Sequence, residues 1–409
     1  MRDHAASGAA QDHNRPPTTK RLTEIALLFL RLGLIGFGGP AAHIAMMEEE
    51  VVGRRRWISR EQFLDLIGAT NLIPGPNSTE MAIHIGMVRA GLPGLIVAGL
   101  SFILPATAIT LGLAWAYVRF QAMPQTSALL LGVKPVVVAI ILCAVVRLGR
   151  TAVKSPELAA LGVAVCALGL LGVNEIVLLL GGGAAGILWA VLSRGPLKRT
   201  GLGLVGIIGL IAAYSMVAGV VGTGAAATGG SPPPSLSDIG LFFLKIGSVL
   251  FGSGYVLIAF LRGGLVVEHR WLTELQLLDA IAIGQFTPGP VLSTATFIGY
   301  LLAGWVGACV ATVAIFLPSF LFVLASNPFI PRIRASSITG GFLDAVNVSA
   351  IGLMAAVTAE FGLTALRGWA QLAIGMAAVV GLVRFRLNPA WLMVGGAVMG
   401  GALKALGGL

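Results

Sequence analysis

Two pairs of helix-breaking motifs hold the residues whose types and spacing could do chemistry. Residues 74–76 (Pro-Gly-Pro) and 36–40 (Gly-Phe-Gly-Gly-Pro) cannot continue a helix, because proline lacks a backbone donor and glycine is a weak helix former. Residues 288–290 repeat the first motif, and residues 251–254 repeat the second. A helix that restarts after a break directs free N–H groups and a partial positive charge into the space before it. The four breaks therefore predict an anion-binding site.

Hydroxyl and amide side chains lie beside these breaks and can donate hydrogen bonds to an oxyanion. A single break could instead be a hinge or a close-packing point, and a single hydroxyl more often bonds back to its own helix or caps it. The duplication of the breaks favours binding. The predicted anion ligands are Gly38, Gly39, Asn71, Gly75, Ser78 and Thr79 in the first half, and Gly252, Ser253, Gln285, Thr287, Gly289, Ser293 and Thr294 in the second.

Arg31 and Lys245 occupy matching positions and add positive charge to the predicted site. If the first helix begins near Arg21, Arg31 lies about 15 Å along it, near the middle of a bilayer. A cation buried there costs about 2.5–3.5 kcal/mol, so we expect it to face the substrate or a partner. The structural alternatives are snorkelling and an ion pair with Glu80 or Asp65.

Titratable side chains near the breaks are candidates for proton coupling. They are His43, Asp65, Glu80 and His84, with Asp279 as the equivalent of Asp65 in the second half. A lone histidine near a helix end is more often structural, and that alternative stays open for both histidines.

The elements that position these residues must be membrane helices. Hydrophobic residues make up 56 % of the chain, charged residues 11 %, and the mean hydropathy is +0.92. Soluble domains carry about 25 % charged residues, and a membrane barrel would show short alternating segments, which are absent. The 56 glycines suit closely packed membrane helices. We predict an all-α polytopic membrane protein with about 12–13 membrane segments, including broken or re-entrant helices.

Charge and cysteine content exclude other classes. The net charge of +10 comes from basic residues clustered in short loops, a pattern typical of cytoplasmic loops rather than of nucleic-acid binding. The three cysteines lie in apolar runs without metal-like spacing, so we predict no metal site and no cofactor. Residues 1–21 are polar, rich in basic residues and without an apolar core, which predicts a cytoplasmic N-terminal tail rather than a signal peptide.

The chain is an internal repeat. A shift of 214 residues aligns Gly75 with Gly289 and Trp57 with Trp271, and from Ile85 onward the alignment continues at a shift of 213. A chance similarity would not keep the same alignment register over so long a stretch. We predict a first repeat at residues 22–195 and a second at residues 236–409. Residues 196–235 form an extra membrane segment followed by a Gly/Ser/Pro linker.

One extra segment between the repeats would invert the second copy. Arg147, Arg150 and Lys154 follow a span of the first half, whereas Arg332 and Arg334 precede the equivalent span of the second. The positive loops therefore swap sides, as inverted topology requires. Inverted repeats are frequent in secondary transporters, where the substrate site lies at the repeat interface near the midplane.

The motifs resemble the signature of the chromate ion transporter (CHR) family. Residues 29–33 through 37–43, and residues 74–79 with the following Ile85-Gly86, carry this similarity in the first half. Residues 285–290 through 316–320, and residues 345–353, carry it in the second half. The similarity covers nearly the whole chain and indicates the long, two-domain form of the family.

The resemblance implies a multi-pass protein of the bacterial or archaeal inner membrane that exports chromate from the cytoplasm and confers chromate resistance. Two positions depart from the family pattern: Glu80 stands where glutamine is expected, and Lys134 replaces the asparagine that the second copy retains as Asn347. Sulfate is the alternative substrate, because it is a tetrahedral dianion of similar size. The predicted partners are the oxyanion and the lipid bilayer, and a homodimer is left open.

The sequence offers two alternatives from other function classes. Ser253 lies in a turn similar to that of serine proteases, but the only histidine of the second half is His269, in a polar loop, and the position that matches Ser253 is Gly39. We therefore predict no catalytic residues and no enzyme. An anion channel is the other alternative, and saturation and exchange of flux would separate it from a carrier.

Overall fold

The protein is built from α-helices throughout the part of the chain that the structure describes. The computed structural model describes residues 18–37, 39–120, 124–192, 233–251, 254–326 and 337–405. These ranges contain fourteen α-helices and no strand. Four stretches are long and apolar enough to cross a membrane: Asn77–Phe120, Ala128–Ala152, Val291–Ser326 and Gly340–Ala365. The prediction of an all-α polytopic membrane protein is confirmed.

The two halves have the same order of helices. The first half comprises α1 (Thr18–Ile35), α2 (Pro40–Glu48), α3 (Arg60–Thr70), α4 (Asn77–Phe120), α5 (Pro124–Ala152), α6 (Pro156–Leu170) and α7 (Glu175–Leu192). The second comprises α8 (Leu236–Val249), α9 (Leu257–Leu261), α10 (Glu274–Phe286), α11 (Thr294–Ser326), α12 (Ser337–Ala365), α13 (Trp369–Arg384) and α14 (Pro389–Ala405). Short π-helices, Glu49–Arg54 and Arg262–Glu268, continue α2 and α9. The predicted extra segment and the tail lie outside the described residues, except for residues 18–21 and 233–235.

Both repeats contain the same sharp turn inside their longest helix. In α4 the turn lies at Ala90 (φ −146°) and Gly91 (φ 63°), and in α11 at Ala303 (φ −148°) and Gly304 (φ 61°). The positive φ falls on glycine, which adopts it without a steric penalty. Matching backbone angles at matching positions show that the repeat is structural as well as sequential.

The two repeats run in opposite directions. Lys154, at the end of α5, forms an ion pair with Asp344, near the start of α12, with Nζ and Oδ1 2.7 Å apart. The helices α5 and α12 are equivalent and pack against each other, so they lie antiparallel. A pseudo-two-fold axis that reverses the helix direction therefore relates the repeats, as the swapped basic loops predict.

Small residues let the repeats pack closely. A Cβ built on Gly400 of α14 would lie 2.7 Å from the backbone nitrogen of Gly132 in α5, and one on Gly396 would lie 2.7 Å from the carbonyl oxygen of Gly132. Only glycine permits this approach of two backbones, as is common between membrane helices. The glycine excess of the composition is thereby explained by helix packing.

Candidate functional site

The Pro-Gly-Pro break of each repeat is bonded to the other repeat. The backbone N–H of Gly75 donates to the carbonyl oxygen of Leu250, at 2.6 Å. The N–H of Gly289 donates to the carbonyl oxygen of Gly36, at 2.8 Å. Leu250 and Gly36 are themselves equivalent, because each ends the first helix of its repeat. The breaks thus form two symmetry-related hydrogen bonds across the repeat interface.

These hydrogen bonds correct one part of the predicted anion site. We expected the N–H groups of Gly75 and Gly289 to face the anion, but both are occupied by carbonyl oxygens of the opposite repeat. The two glycines have positive φ angles of 143° and 92°, which explains why glycine is present. In the structure, both glycines join the repeats through these backbone hydrogen bonds.

A cavity of about 440 Å³ lies beside the first break, between the repeats. Its size is within the range of small-molecule sites. The amides Asn71 and Asn77 flank the break and line the cavity from the first repeat, while Tyr255 and Asn347 line it from the second. Its remaining walls are formed by Pro40, Ala41, Ile44, Arg147, Leu148, Thr151, Ala152, Lys154, Val256, Asp344, Ala350, Ile351 and Met354.

The polar groups of this cavity suit an anion. Asn77 donates from Nδ2 to Oδ1 of Asn71 at 2.7 Å, which fixes both amides at the mouth of the break. Arg147 has no acidic partner among the described residues, whereas Lys154 is paired with Asp344. An unpaired guanidinium beside amide donors favours a bound oxyanion through paired, charge-assisted hydrogen bonds.

Hydroxyl groups of the second break are held by other side chains or by their own helices. Thr110 of α4 donates from Oγ1 to Ser293 at 3.2 Å and lies 3.4 Å from Thr287. Thr287 also donates to the carbonyl oxygen of Ile283, and Thr294 to that of Val291, each at 2.8 Å. For Thr287 and Thr294 the structure therefore shows the back-bonding alternative.

Toward the start of α5, away from Arg147 and the cavity, a buried ion pair joins the repeats. Lys134 of α5 and Asp279 of α10 lie with Nζ and Oδ1 3.2 Å apart, and both side chains are nearly inaccessible. Tyr117 of α4 donates from its hydroxyl to Oδ2 of Asp279 at 3.0 Å. Lys134, which replaces the expected asparagine, thus has a structural partner across the interface.

Several predicted residues are buried around the first break and have no hydrogen-bond partner within the described part of the chain. Both carboxylate oxygens of Glu80 and both ring nitrogens of His84 lack one, as does the hydroxyl of Thr79. Ser78 is buried beside them. In the second repeat the amide nitrogen of Gln285 is also unpartnered. Charged or unpartnered polar groups at membrane depth are costly and typically functional.

Of the other two residues predicted for proton coupling, His43 is buried and Asp65 is half-buried on α3. His43 donates from Nε2 to the carbonyl oxygen of Gly36 at 2.9 Å, the same oxygen that accepts from Gly289. His43 therefore supports the contact between the repeats. This contact favours the structural alternative for His43.

Arg31 and Lys245 are not brought to the cavity. The Arg31 side chain is 60 % exposed, and its partner is Glu50, at 3.8 Å, rather than Glu80 or Asp65. Lys245 is exposed and lines a separate surface pocket with Asp238 and Glu268. Neither side chain is among the residues that line the cavity at the repeat interface.

Among the remaining predicted ligands, Gly39 (φ 80°) begins α2, and a Cβ built on it would lie 3.7 Å from the hydroxyl of Tyr255. Gly38, Gly252 and Ser253 lie outside the described residues. Within the described residues, no group of three His, Cys, Asp or Glu side chains could hold a metal ion.

Sequence reasoning missed the cationic wall of the cavity. Arg147 was interpreted only as a topology-setting residue, and Tyr255 and Asn347 were not assigned to the site. The one available signal was Asn347, which lies in a stretch similar to the CHR family. Arg147 reaches the breaks only through tertiary packing, so its spacing from them carries no information.

Comparisons with known proteins agree with this architecture. The chain matches the family model described as chromate transporter over residues 23–187 and again over residues 237–401. It is 33 % identical over 407 residues to the chromate transport protein of Cupriavidus metallidurans, covering 97 % of this chain and 96 % of that protein. It is 30 % identical to the chromate transport protein of Pseudomonas aeruginosa, covering 92 % and 89 % of the two chains.

A third relative is the probable chromate transport protein of Synechococcus elongatus, 31 % identical over 88 % of this chain and 89 % of that protein. No solved structure matches. The two family matches coincide with the two inverted repeats, and the alignments to the three relatives cover most of each relative's length. The chain therefore belongs to the chromate transporter family.

Proposed function

We propose that this protein is a secondary transporter that exports chromate from the cytoplasm across the inner membrane and thereby confers chromate resistance. The observation that carries the proposal is the cavity at the repeat interface. There, Asn71 and Asn77 of one repeat and Asn347 of the other line the cavity with Arg147, which has no acidic partner among the residues that the structure describes. This donor set fits a tetrahedral dianion, and the names of the full-length relatives favour chromate.

The orientation follows from the basic loops. Arg147 and Lys154 belong to the segment that the positive-inside rule assigns to the cytoplasm, together with the N-terminus. The cavity that they line would then open toward the cytoplasm, where an exported anion must enter. On the opposite face, the contact between Lys134 and Asp279 would close the path.

The membrane potential alone can drive export. A dianion that leaves a cell with a negative interior gains about 4.6 kcal/mol per 100 mV, from about 2.3 kcal/mol per charge. This free energy supports an outward concentration ratio of about 2,000, since each 1.4 kcal/mol is a factor of ten. Coupling to a proton gradient is therefore not required for export.

Uptake of labelled chromate and labelled sulfate into inverted membrane vesicles tests the proposal. We expect saturable chromate uptake that falls when the potential is collapsed and that is absent from vesicles lacking the protein. Collapsing the pH gradient separately measures any proton coupling. No uptake above that of control vesicles would refute the proposal.

Sulfate transport is the second candidate, since sulfate has the same shape and charge. A larger kcat/KM for sulfate than for chromate in the same vesicles would make it the substrate. Uptake that does not saturate and shows no exchange would instead indicate an anion channel.

A further inference from the structure

Three buried polar side chains that have no hydrogen-bond partner among the described residues lie behind the break at Gly75. Glu80 is fully buried, His84 follows it one helical turn later, and Ser319 reaches the same place from α11 of the other repeat. A Cβ built on Gly75 would collide with Oε1 of Glu80 and lie 2.8 Å from the hydroxyl oxygen of Ser319. A carboxyl, a hydroxyl and a glycine therefore meet at the repeat interface.

A proton is the ligand that these groups suit. An ionised carboxylate at membrane depth without a partner is strongly unfavourable, so the Glu80 carboxyl is suited to bind a proton. Glu80 and His84 are separated by four residues and share one face of α4, so a proton can be held by either group. Within the described residues no cluster of metal-binding side chains forms here.

The other charged and titratable groups on the helices packed against α4 are exposed, half-buried or have their own contacts. Asp65 lies half-buried on α3. The contacts are Glu24 with Arg89, Arg21 with the Arg89 carbonyl, Arg31 with Glu50, Arg60 with Glu48, His43 with the Gly36 carbonyl, Glu274 with Arg262, and Asp279 with Lys134 and Tyr117. None of these contacts involves Glu80 or His84, which leaves the pair as a separate site for protonation.

On the basis of the proposed function, we propose that Glu80 and His84 bind a proton together with the transported anion. Asn77 lines the cavity and lies one turn before Glu80 on α4. A proton added to either Glu80 or His84 makes the charge behind the cavity more positive by one. A dianion in the cavity is attracted to that added charge, so the anion binds more tightly when the pair is protonated.

The test is the pH dependence of KM for chromate uptake, measured in proteoliposomes between about pH 6 and about pH 8. For the wild type, KM should rise with pH by up to about tenfold per pH unit. The reason is that one proton binds with each anion, so anion binding weakens as the proton concentration falls. Glu80→Gln imitates the neutral acid, and its KM should stay low with a weaker dependence on pH. Glu61→Gln, at an exposed glutamate of α3, is the matched control and should behave like the wild type.

The protonation of chromate itself is the same in every variant, so the difference between variants belongs to the protein. Identical pH profiles for the wild type and Glu80→Gln would overturn the inference while leaving chromate transport intact. Absence of transport in the wild type would instead refute the proposed function. If Glu80→Gln fails to accumulate, calorimetry of wild-type binding in two buffers of different ionisation enthalpy counts the protons taken up. Zero protons would overturn the inference.

Discussion

Gly75 and Leu250 are joined by a 2.6 Å backbone hydrogen bond that crosses from one repeat to the other, and Gly289 and Gly36 form the equivalent bond. Each bond connects a Pro-Gly-Pro break with the end of the first helix of the opposite repeat. Any change at these glycines therefore acts on the repeat interface and on the amides that flank the cavity.

Replacement of Gly75 or Gly289 should impair transport. In Gly75→Ala the new methyl group would meet Glu80 and Ser319, and in Gly289→Ala it would lie 2.9 Å from Cβ of Ala106. Both also strain a positive φ, at a cost of about 1–3 kcal/mol. We expect a loss of transport of tenfold or more, measured as vesicle uptake normalised to protein in the membrane.

Gly112→Ala is the control for these variants, because a Cβ at Gly112 meets nothing within 4 Å. It should transport normally. Normal transport by Gly75→Ala and Gly289→Ala would show that the contacts at the breaks do not matter for function.

Arg147 should contribute to substrate affinity. Loss of its charge-assisted hydrogen bonds costs about 1.5–3 kcal/mol, so Arg147→Gln should raise KM about ten- to a hundredfold with little change in protein amount. Arg147→Lys keeps the charge without the planar fork and should give an intermediate KM. Arg150→Gln, on the same helix but not lining the cavity, is the control. Equal KM values for Arg147→Gln and Arg150→Gln would remove Arg147 from the site.

Neutralising one member of the ion pair between Lys134 and Asp279 should reduce accumulation of the protein, whereas neutralising both should be tolerated. Asp279→Asn leaves Lys134 buried without an opposite charge, which costs about 3–5 kcal/mol. We expect this variant to accumulate poorly in the membrane by immunoblot. The double variant Lys134→Asn with Asp279→Asn removes both charges and should recover accumulation. If the single variant accumulates normally, the pair does not stabilise the interface.

Equivalent positions of the two repeats should face opposite sides of the membrane. Lys154 and Arg367 each lie two residues after the end of the equivalent helices α5 and α12, and both are exposed. In a protein whose Cys143, Cys166 and Cys309 are replaced by alanine, Lys154→Cys should react only with a reagent inside the cell. Arg367→Cys should react from outside. Labelling of both from one side would contradict the inverted arrangement in the membrane.

Much of the fold could be predicted from the sequence because the duplication constrains it. The shared register fixed which helices are equivalent, and the shifted basic loops predicted that they run antiparallel. Which face of each helix is buried against protein was harder to predict. On α1, Leu28, Phe29 and Leu32 are buried and Arg31 is exposed, yet lipid-facing and protein-facing residues are both apolar, so hydropathy does not distinguish them.

The chemistry of the breaks was predicted only in part. The polar residues around Gly75 do gather at the repeat interface, and Asn71 lines the cavity. The backbone donors of Gly75 and Gly289 were assigned to an anion, because a local motif does not reveal a carbonyl oxygen supplied from the other repeat. Arg147 was missed for the same reason, since only tertiary packing brings the end of α5 to the break.

Lys134 and Asn347 occupy matching positions of the two repeats, but only Lys134 carries a charge. This difference makes the two faces of the protein energetically unequal. A carrier made of two identical inverted halves would occupy its two access states equally. In this chain the Lys134–Asp279 contact can form on one face only, because Asn347 has no charge with which to bind Asp65. We therefore expect the proposed carrier to populate its two access states unequally and to favour the state that keeps the Lys134–Asp279 contact.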